Sequence, residues 1–340
     1  MASQLVYAAT TKEFSEILES LALCSACIAA MFRTVNFLFK VKKISKLVES
    51  LNQLLEFSYH PLTGNRDQLR EQIKFAHNIY IGSWVSAFVT CSIAAFVPFL
   101  SHKIPYKAWF PFDTETSEIG FWAASAYVVL NTYVVSSIDI TVNMFPVVLM
   151  SFTVGLTNEL GDRLAGCQSN EELVQCVKVH QRIKKFHVKV LESFSTVTFL
   201  QALLSSFMIC TSVFTMSIVS FFKLSQKTGL SLFLCFQEKD PSKFMRIFSF
   251  AIPITLLIFF PCYIGNELMV ASSKLPASLL HSKWFDEDRK MGKNVIIFME
   301  NVKNVIKFSA FGVFNANLET FGSIGHTAYS LFAVLKNVNN

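Results

Sequence analysis

Residues Ile119 to Thr157 read IGFWAASAYVVLNTYVVSSIDITVNMFPVVLMSFTVGLT. Asp139 is the single formal charge in this run, and no polar turn divides it. A helix needs ~20 predominantly apolar residues to cross the hydrocarbon of a bilayer. This run exceeds that length, so it reads as one helix that crosses and projects beyond. Backbone in lipid must satisfy its own hydrogen bonds, and a helix does so within one segment. A charge in such a span is expensive, so Asp139 is expected to pair with a basic group or to reach water on the inner side.

Further apolar runs lie on both sides of this one. Leu21 to Phe39 is interrupted by Arg33 and Asn36, whereas Ile79 to Leu100 is clean. Ser193 to Phe222 carries no charge, another run lies between Arg246 and Glu267, and the last, Phe308 to Leu335, contains Glu319. These give an all-α polytopic membrane protein with six transmembrane helices. Composition agrees: 52% of the 340 residues are hydrophobic and 16% are charged, against about 25% charged in soluble domains. Mean hydropathy is +0.43, and Phe alone counts 35. The net charge of +6 sits between apolar runs, where lipid headgroups rather than nucleic acid are the expected neighbours.

Loop charge sets the orientation. The loop after the first run holds Lys40, Lys42, Lys43, Lys46, Arg66, Arg70 and Lys74. Arg163 to Lys189 after the third run and Lys274 to Lys307 after the fifth are similarly basic, while the second loop has only Lys103 and Lys107. Loops one, three and five are therefore expected in the cytosol, with both ends of this chain outside. The fourth loop, expected outside, carries Lys223, Lys227, Lys239 and Lys243 and so is less depleted of charge than the second. The basic segments are amphipathic. Ile44, Leu47, Leu51, Leu54 and Leu55 recur at helical spacing, as do His180, Ile183, Phe186 and Val190. Met299, Val302, Val305 and Ile306 form a third stripe. An anchor bundle of cytosolic helical extensions is favoured over helices lying on the lipid surface.

Other signals are mostly bland. No secretory leader is read in residues 1–20, which carry Lys12, Glu13, Glu16 and Glu19. Cys24 and Cys27 form a CxxC within an apolar helical run, without a second pair, and read as small buried hydrophobes. Cys235 and Cys262 can approach the same membrane face, and nothing further in the sequence supports a disulfide between them. Seven scattered histidines supply no catalytic cluster, so the chain is not read as an enzyme and no cofactor is expected. The last run has an informative face. At 100° per residue, Thr320, Ser323, Thr327, Ser330, Leu331, Val334 and Val338 fall within roughly 60° of one line. A water-lined path explains hydroxyls gathered on one face; tight packing through small polar residues is the other reading.

Leu275-Pro276-Ala277-Ser278-Leu279-Leu280-His281-Ser282-Lys283-Trp284 and Phe308-Ser309-Ala310-Phe311-Gly312-Val313-Phe314 resemble the segments that lead into the last helices of insect odorant receptors. Leu318, Thr320, Phe321 and Ala328-Tyr329-Ser330-Leu331-Phe332 continue the likeness. Ile104-Pro105 with Trp109-Phe110-Pro111-Phe112-Asp113 resembles the family's second extracellular loop, and His180 to Glu192 its pre-span helix. The resemblance covers nearly the whole chain. Two departures stand out. Members have seven spans and a cytosolic amino terminus, whereas here Leu21 to Phe39 aligns with their second span, leaving the first helix without a counterpart. The family's usual Tyr near Leu280-His281 is also missing.

The resemblance implies a plasma-membrane, odorant-gated cation channel. This chain would be the odorant-tuned subunit, in a heterotetramer with the olfactory co-receptor, because its loop after the fourth family helix is short. The dendrite of an olfactory sensory neuron is the implied location. Residues 1–266 would form the odorant-binding bundle, and residues 267–340 the anchor helix and pore-lining helix. Val334 and Val338 match the family's hydrophobic gate. The ligand, a small volatile organic compound, is expected in the outer half of the membrane among Cys27, Ala30, Ser92, Phe96, Tyr127, Asn131, Phe248 and Ile252. Glu319 either draws cations inward or pairs with Lys303 or Lys307. A gustatory-type receptor of the same architecture and a G-protein-coupled-receptor-like sensor are the alternatives. The first is disfavoured by Ala328-Tyr329 with Leu335-Lys336, the second by the charge bias.

Overall fold

The structure is a computed structural model that describes residues 14–58, 67–102, 104, 110–114, 116–224, 241–282 and 289–338. Trp109, Lys283, Trp284, Cys235 and most of the fourth loop lie outside the described residues. The chain forms α1 (Phe14–Phe39), α2 (Val41–Ser58), α3 (Asp67–Ser101) and α4 (Glu118–Ala165). There follow α5 (Asn170–Leu224), α6 (Pro241–Leu280), α7 (Arg289–Val302), a hairpin of β1 (Ser309–Ala310) and β2 (Phe314–Asn315), and α8 (Leu318–Val338).

The opening stretch is one helix. Ser117 caps α4 by accepting from the Gly120 N–H, and the helix continues for 48 residues through Pro146 to Gly166. At 1.5 Å per residue it is roughly 70 Å long, more than twice the ~30 Å hydrocarbon core. Segments of α3, α4, α5 and α6 are each long and apolar enough to cross a membrane. Together α1 and α2 also meet that measure, as a pair bent by 68°. The bend at Lys40 turns the chain from the first span into the bundle, and the Lys40 ammonium donates to the Ser193 carbonyl.

The extensions of α4, α5 and α6 pack with α2 and α7 into one core. On α2 the buried face is Ile44, Leu47, Leu51 and Leu54. On α7 it is Met291, Val295, Phe298 and Val302. The third expected stripe is therefore corrected. The helix ends at Val302, Val305 is only half-buried beyond it, and Ile306 packs from the following turn.

The last span is also corrected. It does not begin at Phe308, because Ser309 pairs with Asn315 and Ala310 with Phe314 in an antiparallel hairpin. Its turn places Phe311 and Gly312 at φ 52 and φ 72, a left-handed region that glycine adopts without cost. Asn317 then caps α8, its side-chain oxygen accepting from the Thr320 N–H. Gly265 of α6 lies against this connection. A Cβ there would sit 2.1 Å from the Ala316 carbonyl oxygen, so only glycine lets α6 approach the start of α8 so closely.

Candidate ligand cavity and pore-facing helix

A cavity of about 160 Å³ lies between α1, α3, α4, α5 and α6. Small residues make the space: Ala26, Ala29 and Ala30 from α1, and Ala87 from α3. Val135, Ile140, Leu204, Met208, Ile254 and Leu257 supply most of the apolar wall. Pro253 of α6 is in the wall as well.

The polar part of the wall was only half legible. Arg33 and Asp139 both line the cavity and form an ion pair. The Arg33 Nε donates to Asp139 Oδ1 at 3.0 Å, and Nη2 donates to the same oxygen. Asp139 thus finds the basic partner that its position demands. Each charge was visible in the sequence as an interruption of a span. The signal for their pairing was that each needed an opposite charge. Gln201 and Ser205, also in the wall, were missed; they sit one turn apart on α5 and bond each other, Gln201 Nε2 donating to Ser205 Oγ at 2.7 Å.

Of the eight expected ligand residues, Cys27, Ala30 and Asn131 line this cavity. The other five lie outside its wall. Ser92 bonds the Tyr133 hydroxyl at 3.0 Å. Phe96 and Tyr127 are 63% and 64% exposed, and Phe248 and Ile252 are a little under half exposed. The Tyr127 ring meets Phe110 edge-on. On α3 and α4 the wall lies deeper than expected, at Ala87 to Cys91 rather than Ser92 and Phe96, and at Asn131 to Ile140 rather than Tyr127.

The face of α8 is the second candidate. Ser323, Thr327 and Ser330 are exposed on the single chain. Each donates its hydroxyl to the carbonyl four residues earlier, on Glu319, Ser323 and His326 respectively. Thr320 is half-buried at the first turn and donates to the Asn315 carbonyl. The buried side of the helix carries Ala328, with Phe321 and Ile324 packed against the core. Leu331, Val334 and Val338 belong to the same helix, and their side chains lie outside the described residues. Glu319 is exposed, while Lys303 pairs with Glu300. Cys262 is a buried free thiol.

The comparisons with known proteins agree with this architecture. Odorant receptor 94a of Drosophila melanogaster is 26% identical over 283 residues, covering 80% of this chain and 68% of that protein. Odorant receptor 33b of Drosophila melanogaster is 22% identical over 339 residues, covering 95% of this chain and 83% of that protein. Among solved structures, the insect olfactory receptor OR5 from Machilis hrabei in complex with eugenol superposes with a TM-score of 0.73 at 17% identity, covering 99% of this chain and 85% of that one. The family description 7tm Odorant receptor matches residues 13–329, and the chain, a multi-pass membrane protein, belongs to that family.

Proposed function

We propose that this chain is the ligand-tuned subunit of an odorant-gated, non-selective cation channel. Small volatile ligands enter the cavity between α1, α3, α4, α5 and α6, and α8 contributes one wall of a pore shared with copies of the family's co-receptor. The observation that carries this reading is the uncovered seam of Ser323, Thr327 and Ser330. The chain's own helices cover the opposite side of α8, at Ala328. A helix facing only lipid gains nothing from concentrating hydroxyls on one side, whereas a helix facing water does.

In this reading Thr320, Ser323, Thr327, Ser330 and Leu331 line the conducting path. Val334 and Val338, one turn apart, narrow it to an apolar ring that excludes ions by dewetting. Cys27, Ala30 and Asn131 contact the ligand directly, while Ser92, Phe96, Tyr127, Phe248 and Ile252 shape the outer approach. The sites of action are the plasma membrane and the sensory dendrite.

The test is expression of the full chain in oocytes, with and without the co-receptor, while recording cation current. Odorant-evoked current with the partner is expected, together with a resting current in the Val334→Ser, Val338→Ser double variant. An unchanged resting current and unchanged gating in that variant would remove α8 from the gate.

A further inference from the structure

The ion pair in the cavity wall leaves part of its cation unused. A guanidinium carries five N–H donors in a planar fork. Arg33 spends Nε and Nη2 on a single oxygen, Asp139 Oδ1, rather than meeting both oxygens of the carboxylate. Its Nη1 bonds no described residue. Among the described residues, the buried side-chain atoms sealed off without a partner include Gln201 Oε1 but no nitrogen of Arg33. Arg33 is 5% exposed and lines the cavity. The small area it shows is turned to that space, and Nη1 is an open donor there.

Arg33 is the single cation among the described wall residues, which are mostly alanine, valine, isoleucine, leucine and other small or apolar side chains. A hydrogen bond from an ionised donor is stronger than one between neutral groups, and apolar surroundings strengthen it further. Charge narrows the ligand. Asp139 already neutralises Arg33, so a carboxylate would leave a net negative charge in a largely apolar space, which is costly. A neutral carbonyl oxygen accepts from Nη1 and leaves the pair intact. An alcohol oxygen accepts as well, so it ranks with the carbonyl rather than above it. An alkane suits the apolar wall but displaces water from Nη1 without replacing its bond, which loses affinity.

Resting on the reading of this cavity as the ligand site, we infer that it takes neutral molecules bearing an acceptor oxygen, such as ketones, over hydrocarbons and anions of equal size. Arg33 Nη1 is the donor that reads the oxygen.

The experiment uses the purified full chain in lipid nanodiscs, with empty nanodiscs subtracted. Calorimetry measures affinity for 2-hexanone, hexanol, heptane and pentanoate. The ketone is expected to bind about tenfold tighter than heptane, with hexanol within about threefold of the ketone. In the double Arg33→Leu, Asp139→Leu chain the ketone advantage falls below about threefold, while heptane affinity holds within about twofold. In Arg33→Lys, which keeps the charge pair, the advantage falls as well, because a flexible ammonium turned onto Asp139 holds no second donor at a fixed place. This variant decides the role of Arg33 if the double variant does not fold. Equal affinity for ketone and heptane overturns the inference and leaves an unselective cavity. Hexanol more than about tenfold tighter than the ketone overturns it in favour of a site that reads a proton. Tightest binding by pentanoate overturns it in favour of an anion site. A ketone advantage that survives the loss of Arg33 overturns the role of that residue. Binding that persists in Ala26→Leu, or failure of all four probes to bind, removes the cavity as the ligand site, and the inference with it.

Discussion

Three helices, α4, α5 and α6, run through both the cavity and the bundle built with α2 and α7, and they are packed oppositely in the two places. In the bundle, Leu160, Leu164, Ile183, Leu268 and Leu275 are at most 1% exposed and interdigitate with α2 and α7 in one continuous core. At the cavity, the same helices meet alanines on α1 and α3, and the space between them stays open. Branched residues fill the bundle, giving the spans a rigid base. Small residues around a buried ion pair leave a hole between the helices. Length makes this possible, because a helix of 48 residues can serve two environments that a span of minimal length cannot.

The largest break in that contrast comes from the ion pair. Arg33→Leu or Asp139→Leu alone leaves one buried charge without its partner, and a loss of about 3–5 kcal/mol is expected. Surface expression and thermal unfolding in detergent would show it. Arg33→Leu combined with Asp139→Leu should recover most of that stability, since an apolar pair of similar volume replaces both charges. Single variants as stable as the wild type would mean that water reaches the pair freely.

Packing gives the next effect, with opposite signs in the two regions. Leu268→Ala in the bundle should cost about 3 kcal/mol, the lost transfer energy plus a cavity that cannot collapse. Ala26→Leu at the cavity should cost less than about 1 kcal/mol, because the added atoms enter existing space. It should nevertheless abolish stabilisation of the chain by any ligand of the site. Urea unfolding with and without hexanol separates the two outcomes. If Ala26→Leu proves as damaging as Leu268→Ala, the space is not open, and the contrast between the regions fails.

The sequence made the spans legible because a run of apolar residues has few ways to exist except across lipid or in a core. It made the faces of α2 and α5 legible through helical spacing. Three things were not legible. The start of α8 was hidden because Phe308 to Phe314 is apolar enough to pass for span. Only Gly312 and Asn317 mark the hairpin turn and the cap. The Arg33–Asp139 pair joins residues 106 apart, a separation that no local pattern reports. Which of the expected ligand residues share one cavity was hidden because periodicity says which residues share a face, not which helix that face meets. Tyr127 and Phe96 are aromatic and well placed along their helices, yet the packing of α3 and α4 leaves both largely exposed.

The smallest expected effect is a pH dependence confined to the bundle. His180 lies on the extension of α5, before its apolar span, with its ring edge-on to Phe298 of α7 at 5.4 Å. Burial, reinforced by repulsion from Lys184, lowers its pKa from 6.5 to about 4. The unfolded chain takes up this proton near pH 6.5, while the folded bundle resists it until about pH 4. The stability that His180 contributes as a neutral ring is therefore complete above pH 6.5 and is lost as pH falls towards 4. His187, one bundle layer further along and bonded to the Lys307 carbonyl, is shifted downward by burial as well, so it adds to the same trend. Thermal unfolding should show a melting temperature that falls on acidification from about pH 7 to about pH 5, with a shallower fall in His180→Leu. The slope should become shallower again in the double His180→Leu, His187→Leu chain. If the single variant keeps the full wild-type slope, His180 is protonated at no cost, and the bundle is wetter around α7 than its packing indicates.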